Sequence, residues 1–379
     1  MINCYCSRHR IIYSYNISFY GGVIMKYISA KEAANKWGVS QRRVATLCSQ
    51  ERIPGAEMVG NMWLIPKDEN KPKDGRSLRY MKKRQLKPFV KWAGGKGQLL
   101  RDIRGKYPEE LGDIIIKYSE PFVGGGAILF DILSNFDLKQ VYISDVNEEL
   151  INTYIVIRDD VEKLISLLFI MQSEYISANT ENRKKYYYVK RERFNFLKVN
   201  LDKSLNIEKA ALFIFLNKTC FNGLYRVNRK GFFNVPMGAY KNPRICDDDN
   251  LRNISLALLN VKIVCGDYKE SERFIDEKTF VYIDPPYRPI TETASFTAYT
   301  EKVFDDKAQI ELAEYVTLLD KKGAMVIVSN SDPKNTNIED EFFDELYNGH
   351  KISRVQATRM INSNGTSRGK ISELLIVNY

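Results

Sequence analysis

Val281-Tyr-Ile-Asp284-Pro285-Pro286-Tyr287 is the most informative stretch of the sequence, because a short apolar strand ends here at an acid. Both prolines fix φ and lack a backbone N–H donor, so the chain has to leave the sheet. Asp284 and the Tyr287 ring therefore lie at the carboxyl end of a strand, where open α/β sheets bind ligands. A carboxylate and nearby carbonyls can accept two hydrogen bonds from one planar amino group, and the tyrosine can stack on a flat ring. We take these last four residues as the candidate catalytic motif; a rigid turn after a core strand is the alternative.

Apolar runs of strand length recur from residue 88 onward and alternate with helical patterns. The predicted strands are Ile114–Tyr118, Val141–Ser144, Val261–Cys265, Phe280–Ile283 and Ala324–Ser329, with a strand pair at Ile352–Thr358 and Ser372–Asn378. The predicted helices are Ala127–Ser134, Glu148–Arg158 and Asp306–Asp320. This alternation predicts an α/β protein with a Rossmann-like, doubly wound sheet. Residues 159–260 interrupt it with a mostly helical, Tyr- and Lys-rich insert, which we interpret as a substrate-recognition domain.

Two further strand ends carry groups suited to a small cofactor. Glu120-Pro-Phe-Val-Gly124-Gly125-Gly126 follows the first strand, and its glycines let the backbone pass close to a bound molecule. The spacing matches neither the dinucleotide fingerprint nor a P-loop, so a nucleoside-containing cofactor without a phosphate chain fits better. Asp145 ends the next strand, where an acid can bind both ribose hydroxyls. Capping of the following helix is the alternative role for Asp145.

A tryptophan and two lysines surround a Gly-Gly turn ahead of the first strand, in Lys91-Trp92-Ala-Gly94-Gly95-Lys96. The tryptophan of such a segment can close over a nucleoside while the lysines contact charged groups. A surface loop with one anchoring aromatic side chain would have the same sequence.

Residues 25–66 have a separate pattern. Ser29-Ala-Lys-Glu32 fits a capping box, Gly38 is a helix stop, Ser40 can cap a second helix, and two short strands follow around Gly60-Asn61. This order resembles the excisionase and MerR-like winged helix-turn-helix family, whose second helix enters a DNA major groove. The residues near the start of that helix are Gln41, Arg42 and Arg43. A helical cap that does not bind DNA is the alternative.

Composition narrows the function classes. A net charge of +10 and a pI of about 9.1 suit a polyanionic partner. No apolar run approaches the roughly 20 residues that span a bilayer, so we expect no membrane role. Six scattered cysteines and two histidines offer no convincing metal site, and they fit free thiols in a reducing cytoplasm.

The leader and the linker are weakly patterned. We expect translation to begin at Met25, with residues 1–24 disordered or not part of the native chain. Residues 67–87 are charged and aperiodic, which predicts a basic linker able to lie along phosphates.

The motifs in their order resemble the Dam-type DNA adenine N6-methyltransferases of the alpha-arranged, D12 class. They are Trp92-Ala-Gly-Gly-Lys96, Pro121-Phe-Val-Gly-Gly-Gly126, Asp145 and, after the insert, Asp284-Pro-Pro-Tyr287. The resemblance covers about residues 87–379 and implies a methyltransferase domain of residues 88–158 and 261–379, with S-adenosylmethionine as cofactor. The residues that it implies for cofactor binding are Trp92, Lys96, Gly124, Gly126, Asp145 and Asp284. Asp284 would also hold the target amine.

The insert strengthens the resemblance, because Phe221-Asn222-Gly-Leu-Tyr-Arg is similar to the recognition hairpin of Dam-type enzymes that read GATC. By that similarity Phe221 would wedge into the base stack and Asn222 would contact the site. The residues matched to the reading of outer base pairs are Lys91, Leu224, Arg226 and Pro236. Phe221 occupies a position where some relatives have tyrosine.

The resemblance implies a site-specific methyltransferase that acts on duplex DNA in the cytoplasm, within a restriction-modification system or as an orphan or phage methylase. A cognate restriction endonuclease is then a functional partner. The alternatives are a DNA-binding regulator with a degenerate enzyme domain, and an N4-cytosine or RNA methyltransferase.

Overall fold

The computed structural model describes residues 18–20, 23–25, 27–49, 53–71, 85–92, 94–200, 202–288, 304–358 and 370–379. The chain divides into two compact units, Met1–Arg79 and Tyr80–Tyr379. Strand β1 (Ser18–Tyr20), in the predicted leader, pairs antiparallel with β2 (Val23–Met25), which ends at the predicted start residue. No helix in the described ranges combines the length and the apolarity needed to cross a bilayer.

The first unit has a small core between two helices and a three-stranded antiparallel sheet. Its elements are β3 (Tyr27–Ser29), α1 (Ala30–Trp37), α2 (Gln41–Ser49), β4 (Glu57–Val59) and β5 (Met62–Pro66), with strand order β3-β5-β4. The predicted capping box is confirmed, because Glu32 N–H donates to Ser29 Oγ and the Glu32 carboxylate accepts the Ser29 N–H. Gly38 ends α1 at a φ of +64°, and Ser40 Oγ accepts from Arg43 N. Strand β3 was missed, because three residues are too few to show a period.

A seven-stranded, mostly parallel sheet organises the second unit and confirms the predicted α/β architecture. Its strands are β6 (Lys117–Glu120), β7 (Gln140–Asp145), β8 (Val261–Cys265), β9 (Thr279–Ile283), β10 (Met325–Ser331), β11 (Lys351–Thr358) and β12 (Lys370–Val377). The order is β11-β12-β10-β9-β6-β7-β8, and β12 runs antiparallel to both of its neighbours. The chain moves outward from β6 to β8 and returns to β9 on the other side of β6. Ligands bind at such a reversal of strand order, at the carboxyl ends of the strands.

Helices cover the sheet and form the insert. They are α3 (Leu100–Arg104), α4 (Ala127–Asn135), α5 (Glu148–Asp159), α6 (Val161–Ser177), α7 (Thr180–Lys198), α8 (Asn206–Thr219), α9 (Asp248–Ala257), α10 (Asp306–Lys321) and α11 (Phe342–Leu346). Every residue from Ala210 to Asn217 in α8 is buried, because α5, α6 and α7 all pack against it. A helix that is apolar on all sides is the expected centre of such a bundle.

The predicted first strand was placed too early. Ile114–Tyr118 reads as apolar, but β6 begins only at Lys117. A turn intervenes: Gly112 has a φ of +93°, and the N–H groups of Ile114 and Ile115 both donate to the Glu110 carbonyl. Ile114 is consequently 62% exposed, so this apolar residue belongs to the turn and not to the sheet.

Candidate active site

A cleft of about 2360 Å³ lies at the carboxyl edge of the sheet. It brings together eleven of the residues predicted from the sequence: Lys91, Trp92, Lys96, Gly124, Gly126, Asp145, Asn222, Asp284, Pro285, Pro286 and Tyr287. A pocket for one small molecule usually measures ~300–1,000 Å³, so this cleft has room for more than one ligand.

Asp284 follows β9 directly and carries a polarised carboxylate. Lys96 Nζ lies 2.9 Å from its Oδ1, and Ser329 Oγ on β10 donates to the same oxygen at 2.9 Å. No described residue bonds Oδ2. Burial raises the pKa of Asp284, and Lys96 and Ser329 oppose that rise. The group thus keeps one oxygen satisfied by the protein and one available to a ligand.

Lys96 is the centre of a second set of contacts. Its side chain is 4% exposed, and its ammonium donates to Tyr287 Oη and lies 3.4 Å from Glu373 Oε2. Tyr287 in turn donates to Glu373 Oε2 at 2.6 Å. Burial raises the pKa of Tyr287 well above its usual value, so the phenol stays a donor. These bonds fix the tyrosine ring beside Asp284.

The two prolines differ in their surroundings. The Pro286 carbonyl accepts a bond of 3.1 Å from Gln309 Nε2 on α10, and Gln309 is itself held by Asn330. Among the described residues, none donates to the Pro285 carbonyl. An acceptor next to Asp284 therefore remains available at the bend that the prolines create.

The glycine loop after β6 packs against Trp92. Gly124 and Gly126 have φ values of +47° and +73°, and Gly126 is the N-cap residue of α4. A Cβ on Gly124 would lie 2.8 Å from Trp92 Cδ1, so only glycine fits there. The Trp92 ring also stacks on Tyr225, with centroids 5.7 Å apart. The loop, the tryptophan and the insert are thus in direct contact.

Asp145, at the end of β7, bonds the backbone of the loop after β6 and of the loop after β7. Its Oδ2 accepts the Gly124 N–H at 3.1 Å, and its Oδ1 accepts the Asn147 N–H at 3.0 Å. Burial raises the pKa of this carboxyl group. The cap of α5 is Asn147, whose Oδ1 accepts from Leu150 N, so helix capping does not account for Asp145.

The predicted recognition hairpin is a narrow loop from Cys220 to Met237, which are bridged to each other. Phe221 is 52% exposed at its start, and Asn222 has a φ of +57°. Arg226 Nε donates to Asn234 Oδ1 at 2.8 Å, which fixes the side chain across the loop. Of the five hairpin residues predicted to contact DNA, Asn222 lines the cleft, whereas Phe221, Leu224, Arg226 and Pro236 lie outside its lining.

The family model for D12 class N6 adenine-specific DNA methyltransferases matches residues 92–361 of this sequence. The chain belongs to this family. It therefore methylates DNA on N6 of adenine, which confirms the function and the enzyme class inferred from the motifs.

Relatives of the D12-class enzyme agree with this membership. The chain is 50% identical over 297 residues to the type II methyltransferase M.MjaIII of Methanocaldococcus jannaschii, an alignment that covers 78% of this chain and all of that protein. It is 39% identical to M1.LlaDCHI of Lactococcus lactis subsp. cremoris (80% and 99% covered) and 35% identical to the DNA adenine methylase of Escherichia coli K12 (76% and 93% covered). A solved precorrin 8w decarboxylase aligns over 74% of this chain and 89% of its own with a TM-score of 0.29 and 12% identity, too low for an argument.

Lys91 of the D12-class enzyme is placed by Asn217. The Asn217 amide bonds both the N–H and the carbonyl of Lys91 at 2.8 Å, and it also donates to the Gly223 carbonyl. Lys91 Nζ donates to Tyr240 Oη at 3.2 Å. The exposed lysine is thereby fixed next to the start of the hairpin.

Two acids of the D12-class site were missed as site residues. Glu373 is the one acid in the apolar run of β12. A single acid in an apolar strand was the sequence signal that could have identified it as a site residue. Glu120 ends β6, is 2% exposed and accepts from Tyr118 Oη at 2.7 Å, and its burial raises the pKa of the carboxyl group. Both line the cleft, but no sequence spacing links either one to Asp284.

Gln41, Arg42 and Arg43 belong to the first unit. Gln41 and Arg42 are exposed in the first turn of α2, whereas Arg43 is half-buried. Residues 72–84 of the predicted linker lie outside the described residues.

Proposed function

We propose that this enzyme uses S-adenosylmethionine to methylate adenine N6 within GATC sites of duplex DNA. The observation that carries the proposal is the Asp284 corner, where one carboxylate oxygen is bound by Lys96 and Ser329 and the other faces no described partner. The adjoining Pro285 carbonyl supplies a second acceptor. Two acceptors at one bend suit the two protons of a flat amino group.

These two acceptors would act on the geometry of the target amine. Adenine N6 is a poor nucleophile because its lone pair is delocalised into the ring. Hydrogen bonds from both amino protons to Asp284 and Pro285 O draw the nitrogen toward a tetrahedral geometry and release the lone pair. Positioning and a fixed electrostatic environment then lower the barrier, and no covalent enzyme intermediate is needed.

The cofactor fits the carboxyl ends of β6 and β7. A carboxylate beside the glycine loop would repel a phosphate chain, but Asp145 can accept hydrogen bonds from ribose hydroxyls. Trp92, Gly124 and Gly126 would hold the nucleoside, with Lys96 and Asp284 toward the reacting end. When bound, this cofactor supplies an electrophilic methyl group on a sulfonium sulfur.

A target base has to leave the duplex to reach Asp284, which costs a few kcal/mol. Tyr287 would stack on the extruded adenine, since Lys96 and Glu373 already fix its ring. Pro286 would shape the wall through its bond from Gln309. The exposed Phe221 would fill the space that the base vacates.

The wedge can be tested by replacing Phe221 with alanine. We expect base flipping to weaken, because the vacated stack loses its aromatic filler. The rise in 2-aminopurine fluorescence that reports flipping should fall several-fold at the target position, with cofactor affinity unchanged. An unchanged rise would contradict the wedge.

Sequence specificity would come from the hairpin and Lys91. Asn222 would contact the site from the cleft, and Lys91 would read the first guanine. The residues proposed for the remaining outer base pairs are Leu224, Arg226 and Pro236.

The direct test of the proposal is methylation of duplexes that differ only in a GATC site. We expect methyl incorporation in the GATC duplex, protection from a methylation-sensitive nuclease, and little incorporation in the duplex that lacks the site. Modified-nucleoside analysis should give N6-methyladenine. Equal incorporation in both duplexes would contradict GATC specificity, and N4-methylcytosine or a preference for RNA would favour the alternative enzymes.

The first unit would add DNA affinity as a winged helix-turn-helix, with Gln41, Arg42 and Arg43 toward the major groove and β4–β5 as the wing. Substituting Gln41 and Arg42 by alanine should weaken duplex binding at low salt and leave kcat on saturating DNA unchanged. Unaltered binding would contradict this role. The setting would be the cytoplasm, with a cognate restriction endonuclease as a functional partner.

A further inference from the structure

Trp92 contacts two elements of the cleft. A Cβ on Gly124 would come within 2.8 Å of its ring atom Cδ1, and a Cβ on Gly125 within 2.9 Å of its Cβ. The ring also stacks on Tyr225 at an interplanar angle of 23°. Trp92 therefore contacts both the proposed cofactor loop and the recognition hairpin.

Tyr225 occupies the inner side of that hairpin. It is 4% exposed, whereas its neighbours Leu224 and Arg226 are half-buried and exposed. These neighbours are the two residues proposed to read base pairs. A displacement of the Tyr225 backbone would move both of them, because they are its immediate chain neighbours.

The Tyr225 hydroxyl closes a buried polar triangle. It donates to Glu149 Oε2 at 2.9 Å and accepts from Lys198 Nζ at 3.0 Å, and Lys198 Nζ lies 2.8 Å from Glu149 Oε1. The side chains of Glu149 and Lys198 are 11% and 14% exposed. Burial raises the pKa of Tyr225, so the phenol remains a donor. A buried triangle whose members satisfy one another favours one arrangement.

Both partners of the triangle lead to functional elements. Glu149 lies in the first turn of α5, two residues after the Asn147 that is bound by Asp145. Lys198 ends α7, whose Asn195 bonds both the N–H and the carbonyl of Phe233 in the hairpin. The contacts thus form a closed path: glycine loop, Trp92, Tyr225, Glu149, α5, and back through Asp145 to Gly124.

We propose that Tyr225 is a positioning residue that couples occupancy of the cofactor site to the geometry of the recognition hairpin. The inference rests on the proposed roles of the cleft and of the hairpin. A nucleoside bound in the cleft that Gly124, Asp145 and Trp92 line fixes Trp92, and the stacked ring passes that constraint to Tyr225. Closely packed interiors transmit such small displacements, and the buried triangle holds the Tyr225 hydroxyl in one arrangement. The expected result is that cofactor and specific DNA each strengthen the binding of the other.

The experiment measures this coupling in the full-length protein with S-adenosylhomocysteine, which cannot react, and an unmethylated GATC duplex. Calorimetric titration gives the dissociation constant of the nucleoside with and without the duplex, and the ratio is the coupling factor. Linked sites commonly show a factor of ~5–150, and reciprocity requires the same factor for the duplex. We expect about tenfold for the wild type.

Tyr225→Phe removes the hydroxyl and keeps the stacked ring, so the fold is retained. We expect the coupling factor to fall about threefold or more, with a smaller change in the affinity for S-adenosylhomocysteine alone. Tyr225→Leu also removes the stack and should bring the factor close to one. The matched control is Tyr186→Phe, which deletes another phenol–carboxylate bond (Tyr186 Oη to Glu174 Oε2, 2.7 Å) on α7 and outside the lining of the cleft.

A coupling factor that Tyr225→Phe and Tyr225→Leu leave at the wild-type value would overturn the inference, as would an equal loss in Tyr186→Phe. A wild-type factor of one would also overturn it while methylation of GATC still upheld the proposed function. A wild-type protein that neither binds nor methylates the GATC duplex would refute both.

Discussion

Asp284→Asn should lower the rate of methyl transfer by ~10³-fold, near the upper end of what one preorganised electrostatic group contributes. The asparagine keeps the size of the side chain but can turn an N–H toward the adenine amine, where an acceptor is required. Single-turnover transfer to a GATC duplex measures the effect. Lys96 retains Glu373 and Tyr287 as partners, so we expect the variant to fold. Its thermal unfolding should remain cooperative.

The rate of methyl transfer should also depend on pH, in a direction set by the pKa of Asp284. The working form of Asp284 is the carboxylate, and burial raises its pKa above the ordinary aspartate value of ~3.9. The rate should therefore fall as the pH drops through that raised pKa. Ser329→Ala removes a bond that lowers the pKa and should move the acid limb to higher pH. Glu373→Gln removes a negative charge that raises it and should move the limb to lower pH.

Opposite displacements of the acid limb in these two variants identify Asp284 as the titrating group. Displacements in the same direction, or a transfer rate in Asp284→Asn within tenfold of the wild type, would contradict its role.

Arg226→Ala should relax discrimination at one outer base pair by a factor of ~5–150, since a forked guanine contact is worth ~1–3 kcal/mol. Asn234 holds Nε of Arg226, and no described residue bonds its terminal nitrogens. The two terminal NH₂ groups are the pair that can bind guanine O6 and N7 together. Relative kcat/KM values on GATC and on single-substitution duplexes measure the loss.

Arg229→Ala is the matched control, because Arg229 is exposed on the same hairpin. We expect it to weaken all duplexes evenly and to leave the ratio between them unchanged. If the two substitutions change the ratio equally, Arg226 does not read a base.

The sequence predicted most of the sheet because its signals are local. Val261–Cys265 was assigned with its observed ends, and Thr279–Ile283 and Gln140–Asp145 differ from their predictions by at most one residue at each end. These strands are mostly apolar runs that end at polar or bending residues, although only Thr279–Ile283 is buried along its whole length. Assigning strands from apolar runs failed at Ile114, since the apolar character of a residue cannot show that the chain has just turned at Gly112.

The groups found only in the structure depend on distant contacts. Glu373 meets Lys96 and Tyr287 across 277 and 86 positions of sequence (373 − 96 and 373 − 287). Tyr225 reaches Glu149 across 76 residues and stacks on Trp92 from another element. No periodicity or spacing encodes such pairs, because topology alone brings them together. The acid at a strand end was visible in the sequence, whereas its supporting network was not.

A crystal structure of the protein with S-adenosylhomocysteine and an unmethylated GATC duplex would show whether Asp284 holds the target amine. We expect an adenine outside the helix, its N6 within ~2.7–3.2 Å of Asp284 Oδ2 and of the Pro285 carbonyl, and its ring against Tyr287. An adenine still paired in the duplex, or an extruded adenine whose N6 lies beyond hydrogen-bond distance of Asp284, would contradict it.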